Sequence, residues 1–116
     1  MNLRNIILIF SKHKNMDIIE SRADKMIGIY KIENMINHKK YIGKSQDIQK
    51  RFGDHRRLAF YENTIYYNYP LYKAFRKYGL ENFDFSIIEE CRQEVLSERE
   101  KYWISYYKAY GEQGYN

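Results

Sequence analysis

Glu100 is an acidic residue inside an otherwise apolar helical pattern. Leu96, Trp103 and Tyr107 recur around it at steps of four and three residues, which is the spacing of one helix face. A carboxylate that faces inward must be paired with a cation, protonated or bound to a metal. The spacing leaves two interpretations open, a metal-binding carboxylate or a structural ion pair with Arg51.

Arg51 is the second candidate, at the inner edge of another helical stretch. It lies between Ile48 and Phe52, and His55 follows four residues later on the same face. An unpaired charge at such a position is costly, so Arg51 needs an anionic partner. A guanidinium can grip a phosphate or a carboxylate through two parallel hydrogen bonds. The remaining basic residues of this stretch are interpreted as a solvated face: Lys50, Arg56 and Arg57.

Two tyrosines, Tyr30 and Tyr41, each lie beside a glycine in a short apolar run. The runs read GIY at residues 28–30 and YIG at residues 41–43, and both are typical of strands. The phenols converge if the strands pair in a suitable register; ordinary core tyrosines are the alternative. A phenol with a pKa near 10 is a poor base unless positive charge lies close to it. The candidate sources of that charge are Lys44, Arg51 and a metal held by Glu100.

Three strands and three helices are predicted to position these residues. The order is strand 26–32, loop 34–38, strand 39–44, a helix capped by Asp47, a connection at 62–69, a helix from Pro70 to Gly79, strand 83–88 and helix 94–107. The expected fold class is α/β of the α+β type, a small three-stranded, mainly antiparallel sheet flanked by helices. Residues 1–25 show no clear period, so we interpret them as an appendage to a domain at 26–116.

Composition narrows the class of partner. A chain of 116 residues is one domain, and its net charge of +5 favours a polyanionic partner such as nucleic acid. Cys91 is the only cysteine, which excludes an internal disulfide and a cysteine-rich zinc site and fits a reducing, intracellular setting. No apolar run approaches the roughly 20 residues of a membrane span.

The paired tripeptides GIY and YIG resemble the defining motifs of the GIY-YIG nuclease superfamily. Arg51 followed by His55 is similar to the pattern in phage intron homing endonucleases. The run SEREKYWI at 97–104 resembles the family's glutamate helix, and GYN at 114–116 resembles its closing motif. Lys44 resembles a lysine that follows YIG in the nuclease subunit of bacterial excision repair. The resemblance covers residues 26–116.

The resemblance implies a DNA endonuclease that uses one divalent cation, Mg²⁺ or Mn²⁺, held by Glu100. It further implies that Arg51 stabilises charge on the phosphate, and that Tyr30 activates or positions the attacking water with support from Tyr41. Supporting roles fall to Lys44 and His55, in orienting the phosphate or lowering the pKa of a phenol, and to Asn116, in shaping the edge of the site.

Two departures from the family pattern accompany the resemblance. The homing enzymes carry a histidine in the connection after the first helix, where Tyr66 stands here. They also carry a further DNA-recognition region, whereas this sequence stops at Asn116, so low sequence specificity is expected of it.

Two other functions remain open: a covalent DNA transferase with Tyr30 as the nucleophile, and a non-catalytic nucleic-acid-binding module. The sequence leaves open which DNA target is cut and whether the protein is a monomer or an oligomer.

Overall fold

The computed structural model describes residues 25–116, and the predicted appendage lies outside this range except for its last residue. Its regular elements, in chain order, are β1 Gly28–Asn34, β2 Lys40–Ser45, α1 Ile48–Leu58, α2 Pro70–Tyr78, β3 Phe83–Glu90 and α3 Leu96–Tyr107. The order and type of the predicted elements are therefore confirmed. Three short 3₁₀ turns complete the description, at Leu80–Asn82, Gln93–Val95 and Gly111–Gln113.

The sheet has the strand order β2-β1-β3, and both pairings are antiparallel, as predicted. β1 pairs Tyr30 with Gly43 and Ile32 with Tyr41 across the hairpin. On the other side of β1, the register with β3 shifts between Ile29 and Tyr30, which marks a bulge. The central position of β1 buries both of its faces, and the two faces belong to different hydrophobic clusters.

Helices α1 and α2 cover one side of the sheet, which we call the front. Tyr30 and Ile32 pack there against a cluster drawn from both helices: Ile48, Phe52, Leu71, Tyr72 and Phe75. Helix α3 covers the opposite side, the back, where Ile29 and Ile42 pack with Leu96, Ala109 and Trp103. Because side chains alternate along a strand, the neighbours Ile29 and Tyr30 serve opposite sides of the sheet.

The helix ends follow local chemistry. The side chain of Asp47 accepts a hydrogen bond from the backbone N–H of Lys50 at the start of α1, as predicted. Pro70 begins α2, and Gly79 ends it with a φ of 91°, a conformation that favours glycine. The predicted start of α3 at Glu94 is wrong by two residues, since Glu94 lies in a 3₁₀ turn.

The last three residues cover the outer edge of β2. The backbone N–H of Tyr115 donates to the carbonyl of Lys40 at 2.9 Å. The amide of Asn116 accepts from the N–H of Ile42 at 2.8 Å and donates to its carbonyl at 2.7 Å. These contacts satisfy backbone groups that an edge strand would otherwise leave unpaired. Within residues 25–116, no helix has the length and apolar character needed to cross a bilayer.

Candidate active site

Tyr30 begins a buried chain of hydrogen bonds on the front of the sheet. Its side chain is only 1% exposed, and its hydroxyl lies 2.7 Å from Nε2 of His55 on α1. The other ring nitrogen, Nδ1 of His55, lies 2.9 Å from the hydroxyl of Tyr72 on α2. His55 and Tyr72 are buried as well, so three polar side chains from three elements satisfy one another inside the core.

Gly43 makes room for the hydroxyl of Tyr30. The two residues are directly paired across the hairpin. A Cβ atom at position 43 would overlap the ring and the hydroxyl of Tyr30. The glycine of the second tripeptide is therefore required by the tyrosine of the first, which gives a physical reason for the coupling of the GIY and YIG runs.

Tyr41 is the more accessible of the two predicted phenols. Its ring is half-buried, with its centroid 6.2 Å from that of Tyr30 and 5.5 Å from that of His55. The convergence expected from the hairpin is thus present. Burial raises the pKa of Tyr30 and of Tyr41, while the charge of Arg51 acts in the opposite direction on both. Both phenols are therefore protonated near neutral pH.

Arg51 is the cation beside these hydroxyls. Burial alone would lower its pKa, but the phenols of Tyr30, Tyr72 and Tyr41 outweigh that effect and raise it. The predicted position at the inner edge of α1 is thus accompanied by a cluster of oxygen atoms. A guanidinium carries donors only, so the phenol oxygens act as acceptors toward it.

His55 is neutral at neutral pH. Burial lowers its pKa to about 3, and the nearby charge of Arg51 contributes in the same direction. A neutral imidazole carries no positive charge, so in the predicted role of orienting a phosphate His55 would act by hydrogen bonding, and that role stays a prediction. The structure links His55 to Tyr30 through a direct hydrogen bond.

Glu100 lies on α3, at the back of the sheet, with Lys44 beside it. Nζ of Lys44 is 3.9 Å from Oε1 of Glu100 and donates to Oγ of Ser97 at 2.8 Å. Burial raises the pKa of Glu100, and Lys44 opposes that rise. The side chains of Lys44 and Glu100 are 44% and 23% exposed, so the pair is open to solvent. The observed ion pair is therefore with Lys44, and the alternative pairing of Glu100 with Arg51 is wrong.

Glu100 also acts on the front of the sheet through Tyr41. After burial and Arg51, the negative charge of Glu100 is the next influence on the pKa of Tyr41, which it raises. Side chains alternate along β2, so Tyr41 and Lys44 lie on opposite sides of that strand. The candidate site therefore wraps around β2, with the phenols and Arg51 in front and Glu100 with Lys44 behind.

A cavity of about 50 Å³ adjoins the front part of this site. The hydrogen-bonded pair of His55 and Tyr72 lines it, as does Arg51. Three further tyrosines complete these polar walls: Tyr41, Tyr69 and Tyr115. A cavity of this size has room for a water molecule, which needs roughly 10–15 Å³ of such volume, and Arg51 and His55 in its wall are polar partners for one.

Tyr72 is the site residue that the sequence prediction missed. It lies on the inner face of α2, among the apolar residues Leu71, Ala74 and Phe75 that define the helical pattern. Helical spacing identifies a residue as inward-facing, but it does not show whether the hydroxyl finds a partner. The available signal was the phenol itself, because a buried tyrosine usually hydrogen-bonds through its hydroxyl.

Tyr66 and Asn116 make packing and backbone contacts at the margin of the candidate site. Tyr66 is exposed, and its ring packs edge-on against Tyr69 at 5.4 Å, which in turn stacks on Tyr72. The amide of Asn116 pairs on both sides with the backbone of Ile42, next to Tyr41. Asn116 therefore holds the backbone of β2 beside Tyr41, and its predicted role at the edge of the site stays a prediction.

The fold and this arrangement around an edge strand define a GIY-YIG catalytic domain. Residues 26–116 match the family described as the GIY-YIG catalytic domain, and the chain belongs to this family. The resemblance found in the tripeptides, Arg51 and the glutamate helix is thereby confirmed at the level of family and fold.

Curated relatives and solved structures agree with this assignment. The chain is 35% identical over 79 residues to an intron-associated endonuclease of Enterobacteria phage T4, a match that spans 66% of this chain and 31% of that protein. It is 42% identical over 62 residues to a probable intron-encoded endonuclease of Neurospora crassa, covering 53% of this chain and 18% of the relative. The chain thus spans less than a third of either relative.

The catalytic domain of the homing endonuclease I-TevI has the same fold. Its structure superposes with a TM-score of 0.65 at 32% identity, covering 78% of this chain and 96% of that domain. A mutant of that domain gives a TM-score of 0.64 at 31% identity, with 78% and 92% coverage. Family and relatives together support a nuclease.

Proposed function

We propose that the protein is a divalent-metal-dependent DNA endonuclease that cleaves phosphodiester bonds by attack of water. One observation carries this proposal: Glu100 lies across β2 from Tyr41, so an open carboxylate borders the same strand as two phenols and a guanidinium. The names of the relatives and the net charge of +5 agree with DNA as the partner.

Glu100 is the residue that would hold Mg²⁺ or Mn²⁺. Among residues 25–116, no group of three or more histidine, cysteine, aspartate or glutamate side chains is arranged to hold a metal. Mg²⁺ commonly binds through one or two carboxylates and completes its shell with water and substrate phosphate. A single, partly exposed carboxylate fits that mode, and the bound cation would neutralise charge on the phosphate and the leaving oxygen.

Arg51 supplies the second positive charge at the phosphate. Its half-buried guanidinium faces the phenol oxygens, and its remaining donors are available to a non-bridging phosphate oxygen. Charge builds up on those oxygens in the transition state, so donors already in place stabilise it most. Lys44, paired loosely with Glu100, contacts the phosphate in this proposal from the side of the cation.

Tyr30 and Tyr41 handle the attacking water. Both phenols are protonated near neutral pH, so Tyr30 can accept a proton from water only as it gives up its own, and Nε2 of His55 is the neighbouring acceptor. Tyr41, next to Tyr30 and facing the cavity, orients the water by hydrogen bonding.

The alternative functions find less support in the structure. A covalent transferase needs the oxygen of Tyr30 itself to bond to phosphorus, whereas the hydrolytic role needs only a hydrogen bond to a small water molecule, and this phenol is 1% exposed. A binding module has no need of a carboxylate beside the phosphate. We propose low sequence specificity for residues 25–116 and action inside a cell, where DNA is met.

Cleavage of supercoiled plasmid tests the proposed function. The protein is assayed with Mg²⁺, with Mn²⁺ and with a chelator, beside Glu100→Ala and the matched control Glu98→Ala, an exposed acid on the same helix. We expect Glu100→Ala to lose about 100-fold or more in rate, the control to cut like the parent, and the chelator to stop cleavage. Parental cutting by Glu100→Ala would refute the role of Glu100, and no cutting by the parent with either metal would refute the function.

A further inference from the structure

Tyr72 lies at the far end of a chain of hydrogen bonds. Which group donates and which accepts in each bond follows from the charged neighbour at the other end. The chain runs from Tyr30 through His55 to Tyr72, with distances of 2.7 Å and 2.9 Å. Hydroxyls and a neutral imidazole can each donate or accept, so geometry alone permits either direction. The charged neighbour at the Tyr30 end removes that ambiguity.

Arg51 sets the direction because it can only donate. The positive charge of its guanidinium opposes the rise in the pKa of Tyr30, so the oxygen of that hydroxyl rather than its proton is turned toward Arg51. Nε2 of His55, at 2.7 Å, is the hydrogen-bond partner of the same hydroxyl. The proton of Tyr30 is then directed to Nε2 of His55. A neutral imidazole carries one proton, so that of His55 lies on Nδ1 and is donated to the oxygen of Tyr72. The hydroxyl proton of Tyr72 is left to face the cavity that Tyr72 lines.

We propose that Tyr72 is a positioning residue that holds His55 in the Nδ1–H tautomer, and that it conducts the proton removed from the attacking water into the cavity beside α2. This inference rests on the proposed hydrolytic function and adds a residue from α2 to it. The hydroxyl of Tyr72 acts through His55 and touches no reacting atom.

The proton path leaves no net charge on His55. As the water oxygen bonds to phosphorus and the bond to the leaving oxygen breaks, the water proton moves to Tyr30. The proton of Tyr30 moves to Nε2, the Nδ1 proton moves to Tyr72, and the proton of Tyr72 passes through water in the cavity to the solvent, while the leaving oxygen takes a proton from the solvent. An imidazolium beside Arg51 would be costly, and this concerted shift avoids it because His55 gains and loses one proton.

Nitrogen NMR on the intact protein tests the tautomer directly and needs no variant. We expect the two ring nitrogens of His55 to report a neutral imidazole protonated on Nδ1 between pH 6 and 8. Protonation on Nε2 would overturn the proposal, since Nε2 could then not accept the proton of Tyr30.

Single-turnover cleavage of supercoiled plasmid with Mg²⁺ tests the contribution to rate. Tyr72→Phe removes the hydroxyl and keeps the ring, and Tyr78→Phe makes the same change on α2 outside the cavity. We expect Tyr72→Phe to cleave about 10-fold to 100-fold more slowly, as general acid–base steps contribute roughly 10²–10⁴, with unchanged DNA affinity. Its His55 signals should move toward a mixture of tautomers.

The two proposals fail in distinguishable ways. If Tyr72→Phe cleaves as fast as the parent while Glu100→Ala is inactive, the endonuclease function stands and the role of Tyr72 is refuted. If the rate falls but the tautomer of His55 is unchanged in the variant, Tyr72 does not hold the tautomer, and the proposal is overturned in that form.

Discussion

The front and the back of the sheet are both rich in aromatic residues, yet they use them differently. On the front, the hydroxyls of Tyr30 and Tyr72 are buried and meet at His55. On the back, Tyr102 and Tyr106 stack with their rings 6.3 Å apart and are 49% and 63% exposed. Tyrosines at helical spacing thus occur on both sides. A tyrosine of the candidate site differs from a surface tyrosine in that its hydroxyl is buried against a charged or titratable partner.

The polar contacts on the back have a structural pattern. Glu89 at the end of β3 accepts hydrogen bonds from Nε1 of Trp103 at 2.9 Å and from Arg99 at 2.8 Å. This carboxylate is neutralised by residues of the helix that covers it, and its pKa is held below the ordinary value by those two donors despite partial burial. Glu100 lies on α3, one helical turn before Trp103. Its carboxylate is paired only loosely with Lys44, and burial raises its pKa instead.

The largest contrast should come from glycine substitutions. Gly43→Ala places a methyl group where the hydroxyl of Tyr30 lies, so we expect a loss of about 1–3 kcal/mol in the free energy of unfolding together with loss of plasmid cleavage. Gly53→Ala on α1 meets no atom within 4 Å and should stabilise the protein by about 1 kcal/mol. Thermal unfolding and cleavage assays on both variants measure this. A Gly43→Ala protein with parental stability and activity would contradict the packing described for Tyr30.

The second largest effect is expected on the pH dependence of stability, and it arises from His55 on the front of the sheet. The folded-state pKa of His55 is about 3 against 6.5 for the free side chain, so the unfolded chain binds a proton that the folded chain does not. Stability is therefore fully present above pH 6.5 and falls as pH decreases toward 3, by up to about 1.4 kcal/mol per pH unit. Urea unfolding between pH 7 and 5 measures this slope.

The control for the pH effect is the exposed histidine of the hairpin loop. Between pH 7 and 5 the carboxylates remain ionised in the unfolded chain, so His55→Gln should flatten the slope and His38→Gln should leave it in place. An unchanged slope in His55→Gln would show that another group controls acid stability. If His55→Gln does not fold, nitrogen NMR of the parent at pH 5 should still find His55 neutral.

The smallest effect is expected on the back. Tyr106→Phe removes a hydroxyl from a side chain that is 63% exposed. Exposed substitutions of this kind usually change the free energy of unfolding by less than about 0.5 kcal/mol, and plasmid cleavage should match the parent. A large loss of activity in Tyr106→Phe would break the contrast between buried and exposed tyrosines and extend the DNA-contacting surface along α3 beyond Glu100.

The fold was largely predictable because its signals are local. Alternation in the two tripeptide strands, Asp47 as a cap, and Pro70 with Gly79 around α2 each identify an element from neighbouring residues. The start of α3 was misplaced because a 3₁₀ turn and a first helical turn share the same residue preferences. Strand order was not predicted, because a third antiparallel strand can join either edge of a hairpin, and in the structure it joins β1.

The site was predictable only where a motif marks it. Tyr30, Tyr41, Arg51 and Glu100 were assigned by their place in the family pattern, and the structure brings them around β2. The partners of these groups depend on tertiary packing between distant elements. The contact of His55 with Tyr72 joins α1 to α2, and that of Lys44 with Glu100 joins β2 to α3, and neither has a sequence signal.

The closing residues 114–116 have a mechanical consequence for the site. They follow α3 and fasten to β2 through Lys40 and Ile42, while Lys44 ties the other end of the same strand to the first turn of α3. Helix and strand are thereby clamped at two points, one at Lys40 and Ile42 on either side of Tyr41 and the other at Lys44 beside Glu100. A force that pulls on the last residue loads the strand of Tyr41 first, so the carboxylate and the phenol cannot part until that clamp opens.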